Sequence, residues 1–194
     1  RRQRQMCIRD SSSCFLTGCV NQHPKDSKKS SQGESVETML EITDPKEKQA
    51  VLNAKAKVKA LSGNPRIVAT SPAVADICDK LDLDLVGVPK SSVSKIPSRY
   101  KKVKKVGLAM SPDMEIVSSL NPDWILAPSS LETDLKPKFE ELKNTEYAFL
   151  NLRSVQGMYR SVQELGEIFG KQQEAEKMTK EFTTSVSYTH LTLP

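Results

Sequence analysis

Few side chains in this sequence are of the types that do chemistry, and their spacing says more than their number. The cysteines are Cys7, Cys14, Cys19 and Cys78, with no C-x-x-C pair among them. The histidines, His23 and His190, lie far apart, so no His-based metal cluster can be assembled. Cys78 sits on an apolar helical pattern and reads as a small buried hydrophobe. No nucleophile stands in a recognisable pairing with a base, so no enzymatic activity is expected. The more suggestive spacing is Ser71-Pro72 and Ser111-Pro112. Each has the form of a helix start, with serine as cap and proline in the first turn. The free N–H groups of such a start favour anions.

Those residues need elements to hold them. RIVAT (66–70) reads as a buried strand, followed by a helix over SPAVADICDKL. LDLVGV (83–88) is a second strand, KVGLA (105–109) a weaker one, and SPDMEIVSSL a helix starting at Ser111. DWILAP (123–128) is a strand, TDLKPKFEELK a helix interrupted near Pro137, and YAFLNL (147–152) a strand. Strand–helix alternation with right-handed crossovers predicts a parallel sheet flanked by helices, an α/β fold. Helix starts that follow strands point at the carboxyl edge of such a sheet, where ligands bind. Upstream, Asp44-Pro45-Lys46-Glu47 predicts a helix start with Glu47 completing a capping box, and Val51, Ala54, Val58 and Leu61 continue at helical spacing. Downstream, apolar residues from Val155 to Phe182 predict one helix over 154–182, roughly 43 Å long, a strut leading out of the lobe.

The two ends of the chain carry a different kind of information. VSYTHLTLP (186–194) can be encoded by DNA whose reverse complement encodes RQRQMCIRD, residues 2–10 in order. Natural gene ends have no reason to match in this way, whereas a flanking DNA tag does. Residues 1–10 and 186–194 are therefore expected to be translated sequencing adapter. Without four arginines and Asp10, the formal net charge of +5 becomes +2, and the case for a nucleic-acid partner largely disappears. Three cysteines remain, which is not an even set for a disulfide framework. YKKVKKV (100–106) reads as a solvated segment entering a strand.

Leu16-Thr17-Gly18-Cys19 resembles the bacterial lipobox, in which a cysteine is diacylated and becomes the first residue after cleavage. A short apolar run precedes it and the polar tract NQHPKDSKKSSQGES follows. That order predicts a truncated signal peptide over 11–18, lipidation of Cys19 and a tether over 19–44. Buried acyl methylenes contribute about 0.8 kcal/mol each, so two chains anchor a soluble domain. The expected location is the extracellular face of a Gram-positive-type cell membrane. The α/β lobe then spans 45–153 and an inter-lobe helix begins over 154–185.

From about Arg66 to Phe182, the segments RIVATSPAVADICDKLDLDLVGV, IPSRYKKV, GLAMSPDMEIVSSLNPDWIL and LRSVQGMYRSVQELGEIFG resemble the substrate-binding lipoproteins of bacterial ABC importers for iron compounds. More narrowly, they are similar to the heme-receptor lipoproteins of the iron-regulated surface determinant system. The resemblance implies the N-terminal lobe of a class III, helical-backbone periplasmic-binding-protein fold, with a second lobe beyond this sequence. It implies heme as the transported ligand, with Met110, in GLAMSP, as an axial ligand through its thioether. A histidine of the second lobe would complete the pair. By the same resemblance Thr70, Ser71 and Ala73 meet the ligand, with Ser91, Ser92 and Tyr100 as further candidates. The partners implied are an ABC permease and cell-surface heme-relay proteins, with the receptor itself a monomer. A ferric siderophore, for which Arg99 and Tyr100 would serve, or cobalamin is the alternative ligand.

Overall fold

The computed structural model describes residues 44–180. Cys19, the segment 11–18, the tether up to residue 43 and both terminal segments, 1–10 and 186–194, lie outside the described residues. Helix α1 (Pro45–Ala60) starts as expected, with the Asp44 carboxylate accepting from the Lys46 N–H at 2.8 Å and Pro45 in the first turn. Strand β1 (Ile67–Ala69) leads to α2 (Pro72–Lys80), and β2 (Leu85–Val88) to a 3-10 turn (Ser98–Tyr100) and the short β3 (Lys104–Lys105). The remainder is β4 (Gly107–Leu108), β5 (Ser111–Pro112), α3 (Met114–Ser119), β6 (Trp124–Pro128), α4 (Glu132–Glu140), β7 (Glu146–Leu150) and α5 (Val155–Phe169). A last helix, α6, occupies 172–180.

Five strands form one parallel sheet in the order β3-β2-β1-β6-β7. Alternate residues of each central strand enter different cores. Ile67, Ala69, Trp124, Leu126, Ala148 and Leu150 face α1, α2 and α5, while Val68, Ile125, Ala127, Tyr147 and Phe149 face α3 and α4. With both faces covered, a strand reads as a continuous apolar run and not as an alternation, which is how RIVAT and DWILAP look. From β1 the chain steps outward to β2 on one side, then returns and steps to β6 on the other. Right-handed crossovers allow this only if the helices of the two halves lie on opposite faces, and the two cores show that they do. The turns that bring α2, α3 and α4 back to the sheet use Asp82, Asn121 and Asn144 at positive φ of 50°, 43° and 60°. Asx side chains tolerate that conformation.

Several expected boundaries move. The helix predicted to start at Ser111-Pro112 instead starts at Met114. Its cap is Asp113, which accepts from the Glu115 and Ile116 N–H groups at 3.1 Å. Ser111 and Pro112 pair with Leu108 and Gly107 in an antiparallel hairpin. KVGLA therefore divides, Lys105 joining the parallel sheet and Gly107 and Leu108 the hairpin. Pro137 sits within α4 without interrupting it. The single helix expected over 154–182 is broken at Gly170, whose φ of 71° gives a left-handed cap. In its first part, α5, Val162, Leu165 and Ile168 are buried in the lobe, and Phe169 meets Trp124 edge-on at 5.5 Å.

Helix α1 docks on α5 with little apolar contribution, since only Val51 and Ala54 are buried. Polar contacts supply the rest. Lys57 pairs with Glu146 at 2.9 Å, Lys55 with Glu167, and Arg160 with Glu47 at 3.8 Å. Glu47 is thus turned into the interface, away from the capping-box role. It lies beside Glu164, which is 1 % exposed. Burial first, and then the Glu47 carboxyl, push the Glu164 carboxyl far above the ordinary carboxylate range. The folded form holds this proton to higher pH than the unfolded chain does. Its stabilising effect is complete below the ordinary glutamate value of about 4.3 and is lost as pH climbs toward the raised one. Glu164→Gln should therefore raise the thermal unfolding midpoint at pH 8, by about 1–3 kcal/mol of stability, and leave it nearly unchanged at pH 4. Unfolding followed by circular dichroism at both pH values checks this.

Candidate functional site

The strand order reverses between the parallel β1 and β6, and the carboxyl ends of these strands mark the crevice position at which open α/β sheets bind ligands. Thr70 ends β1 there, and its N–H donates to the Leu126 carbonyl at 3.0 Å, holding it against β6. Its hydroxyl is turned to the same carbonyl at 3.4 Å, and the residue is fully buried. Ser71 is 6 % exposed and caps α2 by accepting from the Val74 N–H at 3.3 Å. Ala73 is exposed in the first turn of α2. These three predicted residues do come together at the edge, and Ala73 presents the open surface.

Two more loops reach the same edge. The segment after β2 carries Ser91, half-buried, whose hydroxyl accepts from the Ser94 N–H at 3.0 Å, and Ser92, exposed. Beside it stands the hairpin, with Ala109 and Met110 as its two-residue tip. Met110 is 74 % exposed and Leu108 60 % exposed. The hairpin is anchored at both feet. The Lys90 N–H donates to the Gly107 carbonyl at 2.7 Å, and the Asp113 N–H to the Val106 carbonyl at 2.7 Å. On the second foot, Asp113 also caps α3. Gly107 has a φ of 95°, and a Cβ there would lie 2.9 Å from the Asp113 nitrogen and 3.1 Å from the Ser111 carbonyl oxygen. Only glycine fits that position.

Tyr100 does not belong to this edge. It is 2 % exposed in the core, and its hydroxyl donates to the Leu83 carbonyl at 2.5 Å, before the start of β2. The sheet's amino ends lie there, on the side opposite the crevice. Arg99 is held at the same end, 2.8 Å from both Asp82 and Asp84, with its guanidinium 5.3 Å from the Tyr100 ring centre. An aromatic residue followed by lysines is a surface signal in the sequence; the buried carbonyl it satisfies becomes visible only in three dimensions. Conversely, Ser129 and Ser130 follow β6 directly and stand at the strand reversal beside Thr70. Sequence reasoning passed over them because nothing local marks β6 as the neighbour of β1.

One buried group, Cys78, stands outside the site. Burial pushes the Cys78 thiol up to about 12, which makes it inert at neutral pH. Among the described residues no group of three or more His, Cys, Asp or Glu could hold a metal ion.

A parallel sheet flanked by helices, with a crevice at the strand reversal and an exposed methionine hairpin on its rim, defines one ligand-binding lobe of the class III periplasmic-binding-protein type. The chain belongs to the periplasmic binding protein family, whose family model matches residues 67–187. The high-affinity heme uptake system protein IsdE of Staphylococcus aureus is 36 % identical over 117 residues, covering 60 % of this chain and 39 % of that protein. The crystal structure of S. aureus IsdE complexed with heme has a TM-score of 0.59 and 34 % identity, over 63 % of this chain and 46 % of that one. An ABC transporter substrate-binding protein from Listeria monocytogenes EGD-e gives a TM-score of 0.62 and 43 % identity, over 65 % and 48 %. The fold alone is shared with S. aureus SirA complexed with staphyloferrin B, 23 % identical at a TM-score of 0.52, over 66 % and 44 %. The chain thus spans less than half the length of these relatives, which are transport proteins and not enzymes.

The hairpin generates a test that is independent of any ligand. Gly107→Ala should cost about 1–3 kcal/mol through its strained φ and the backbone clash, read as a lower urea midpoint. Amide exchange at Lys90 and Asp113 should accelerate as the hairpin feet loosen.

Proposed function

We propose that this chain is the N-terminal lobe of a lipid-anchored substrate-binding protein of an ABC importer, which captures heme and passes it to the permease. The observation that carries the reading is the placement of Met110. A methionine 74 % exposed at the tip of a two-footed hairpin is left open to solvent, beside the segment that follows β2. A thioether held out in this way is suited to ligating heme iron, a ligation that cytochromes use with a histidine opposite. The 36 % identity to a heme uptake protein supports the same ligand. Thr70, Ser71 and Ala73 form the floor, with the N-terminus of α2 facing the side where heme propionates would lie. Ser91, Ser92, Ser129 and Ser130 flank it. The inter-lobe connection would follow α5 through the helix at 172–180, which packs on the same core through Ala175 and Met178.

Cys19 is the proposed acylation site, which places the lobe on the outer face of the cell membrane. Relay of heme from cell-surface proteins and a monomeric state complete the reading. The ferric-siderophore alternative leaned on Arg99 and Tyr100, and both are engaged at the opposite end of the sheet.

In the complete receptor, hemin should give a shifted Soret band, and Met110→Ala should weaken binding about 10- to 100-fold while changing the band position. An unchanged band and affinity in that variant would remove Met110 as a ligand.

A further inference from the structure

Between Asp84 and Asp113 the chain contains no acidic residue, yet it carries Lys90, Lys95, Arg99, Lys101, Lys102, Lys104 and Lys105. The fold sorts these seven cations. Arg99 is neutralised by Asp82 and Asp84, and Lys105 is half-buried with its ammonium donating to the Tyr100 carbonyl at 3.4 Å. The other five are exposed and make no ion pair among the described residues. They are spread along the open β3 side of the sheet, from Lys90 after the carboxyl end of β2 to Lys101 and Lys102 before the amino end of β3. Lys104 lies on β3, Lys101 and Lys102 in the turn before it, and Lys90 and Lys95 in the loop between β2 and the 3-10 turn. Lysine on an edge strand blocks edge-to-edge pairing, which accounts for Lys104. It does not account for four lysines off the strand. Among them stands Val93, flanked by Ser92 and Ser94 and 95 % exposed. A valine left so open has no structural task in the lobe.

We infer that this edge is a docking surface for an anionic lipid bilayer, with the lysines at the headgroups and Val93 dipping into the interface. Juxtamembrane lysines are drawn to the negative surface potential of anionic lipids, each contributing about a fivefold gain in partitioning. A single aliphatic side chain among them adds a contact that depends on membrane depth. Nucleic acid would be met by exposed aromatic residues that stack on bases. Here the one aromatic residue of the stretch, Tyr100, is buried, and the exposed apolar residues are aliphatic. The bilayer fits the surface better. Docking of this kind fixes which edge of the sheet faces the membrane.

Sedimentation of the full chain, without acylation, with vesicles of phosphatidylcholine alone or with 30 mol % phosphatidylglycerol (about one charge in three) tests this. The chain should bind only the anionic vesicles, with affinity falling as salt rises. Replacing Lys90, Lys95, Lys101, Lys102 and Lys104 by Gln should lower that affinity at least about 100-fold, and Val93→Ser several-fold, with the circular dichroism spectrum unchanged. The inference is overturned if the five-fold variant binds like the parent chain. It is equally overturned if Val93→Ser has no effect while an oligonucleotide competes as well as the anionic vesicles.

Discussion

The pairing of β1 with β6 is the constraint on which the rest of this structure depends. The two strands lie side by side in parallel, Ile67 opposite Trp124 and Ala69 opposite Leu126, although 54 residues lie between β1 and β6 in the chain. Both are buried on two faces, so every backbone group must find a partner within the sheet. The Thr70 N–H, donating to Leu126 beyond the last residue of β1, extends that ladder to the rim. Because the chain departs from β1 in one direction and later resumes on its other flank, the loops at this point diverge. That divergence sets the chain after β1 and β6, with Thr70, Ser71 and Ser129, at the position where open α/β sheets bind ligands. Topology alone produces it.

Around this centre the structure is built with graded firmness. The two apolar cores hold the sheet between α2 and α5 on one side and α3 and α4 on the other. The hairpin that carries Met110 is small, but two backbone hydrogen bonds and a helix cap fix its feet. Preorganisation of this kind reduces the ordering cost of binding. Helix α1 is attached differently, through ion pairs and a buried carboxyl pair, with two buried apolar residues. For a helix of 16 residues this is slight apolar anchorage, which makes it a natural place for local opening.

Much of this fold was legible in the sequence, because doubly buried strands and proline-led helices leave strong local signals. RIVAT, DWILAP and YAFLNL fall on β1, β6 and β7 to within two residues. The failures share a cause. Ser111-Pro112 has the local form of a helix start, but the N–H groups of α3 are satisfied by Asp113, one residue later, which frees Ser111 and Pro112 for the hairpin. Gly170 breaks a pattern whose apolar spacing continues undisturbed on both sides. Tyr100 gave no sign that its hydroxyl would be spent on Leu83. For the candidate site, Thr70, Ser71 and Met110 could be nominated from motifs and resemblance. Ser129 and Ser130 required knowing the order of strands in the sheet.

The reading of this lobe as half of a heme receptor turns on one property, the preference of the crevice for heme over a chelated ferric ion. The most direct measurement is competition in the complete, two-lobed receptor between hemin and a ferric siderophore, followed by quenching of tryptophan fluorescence. Hemin should bind and resist displacement by the siderophore at equal concentration. Displacement of hemin by the siderophore, or quenching by the siderophore alone, would contradict the account.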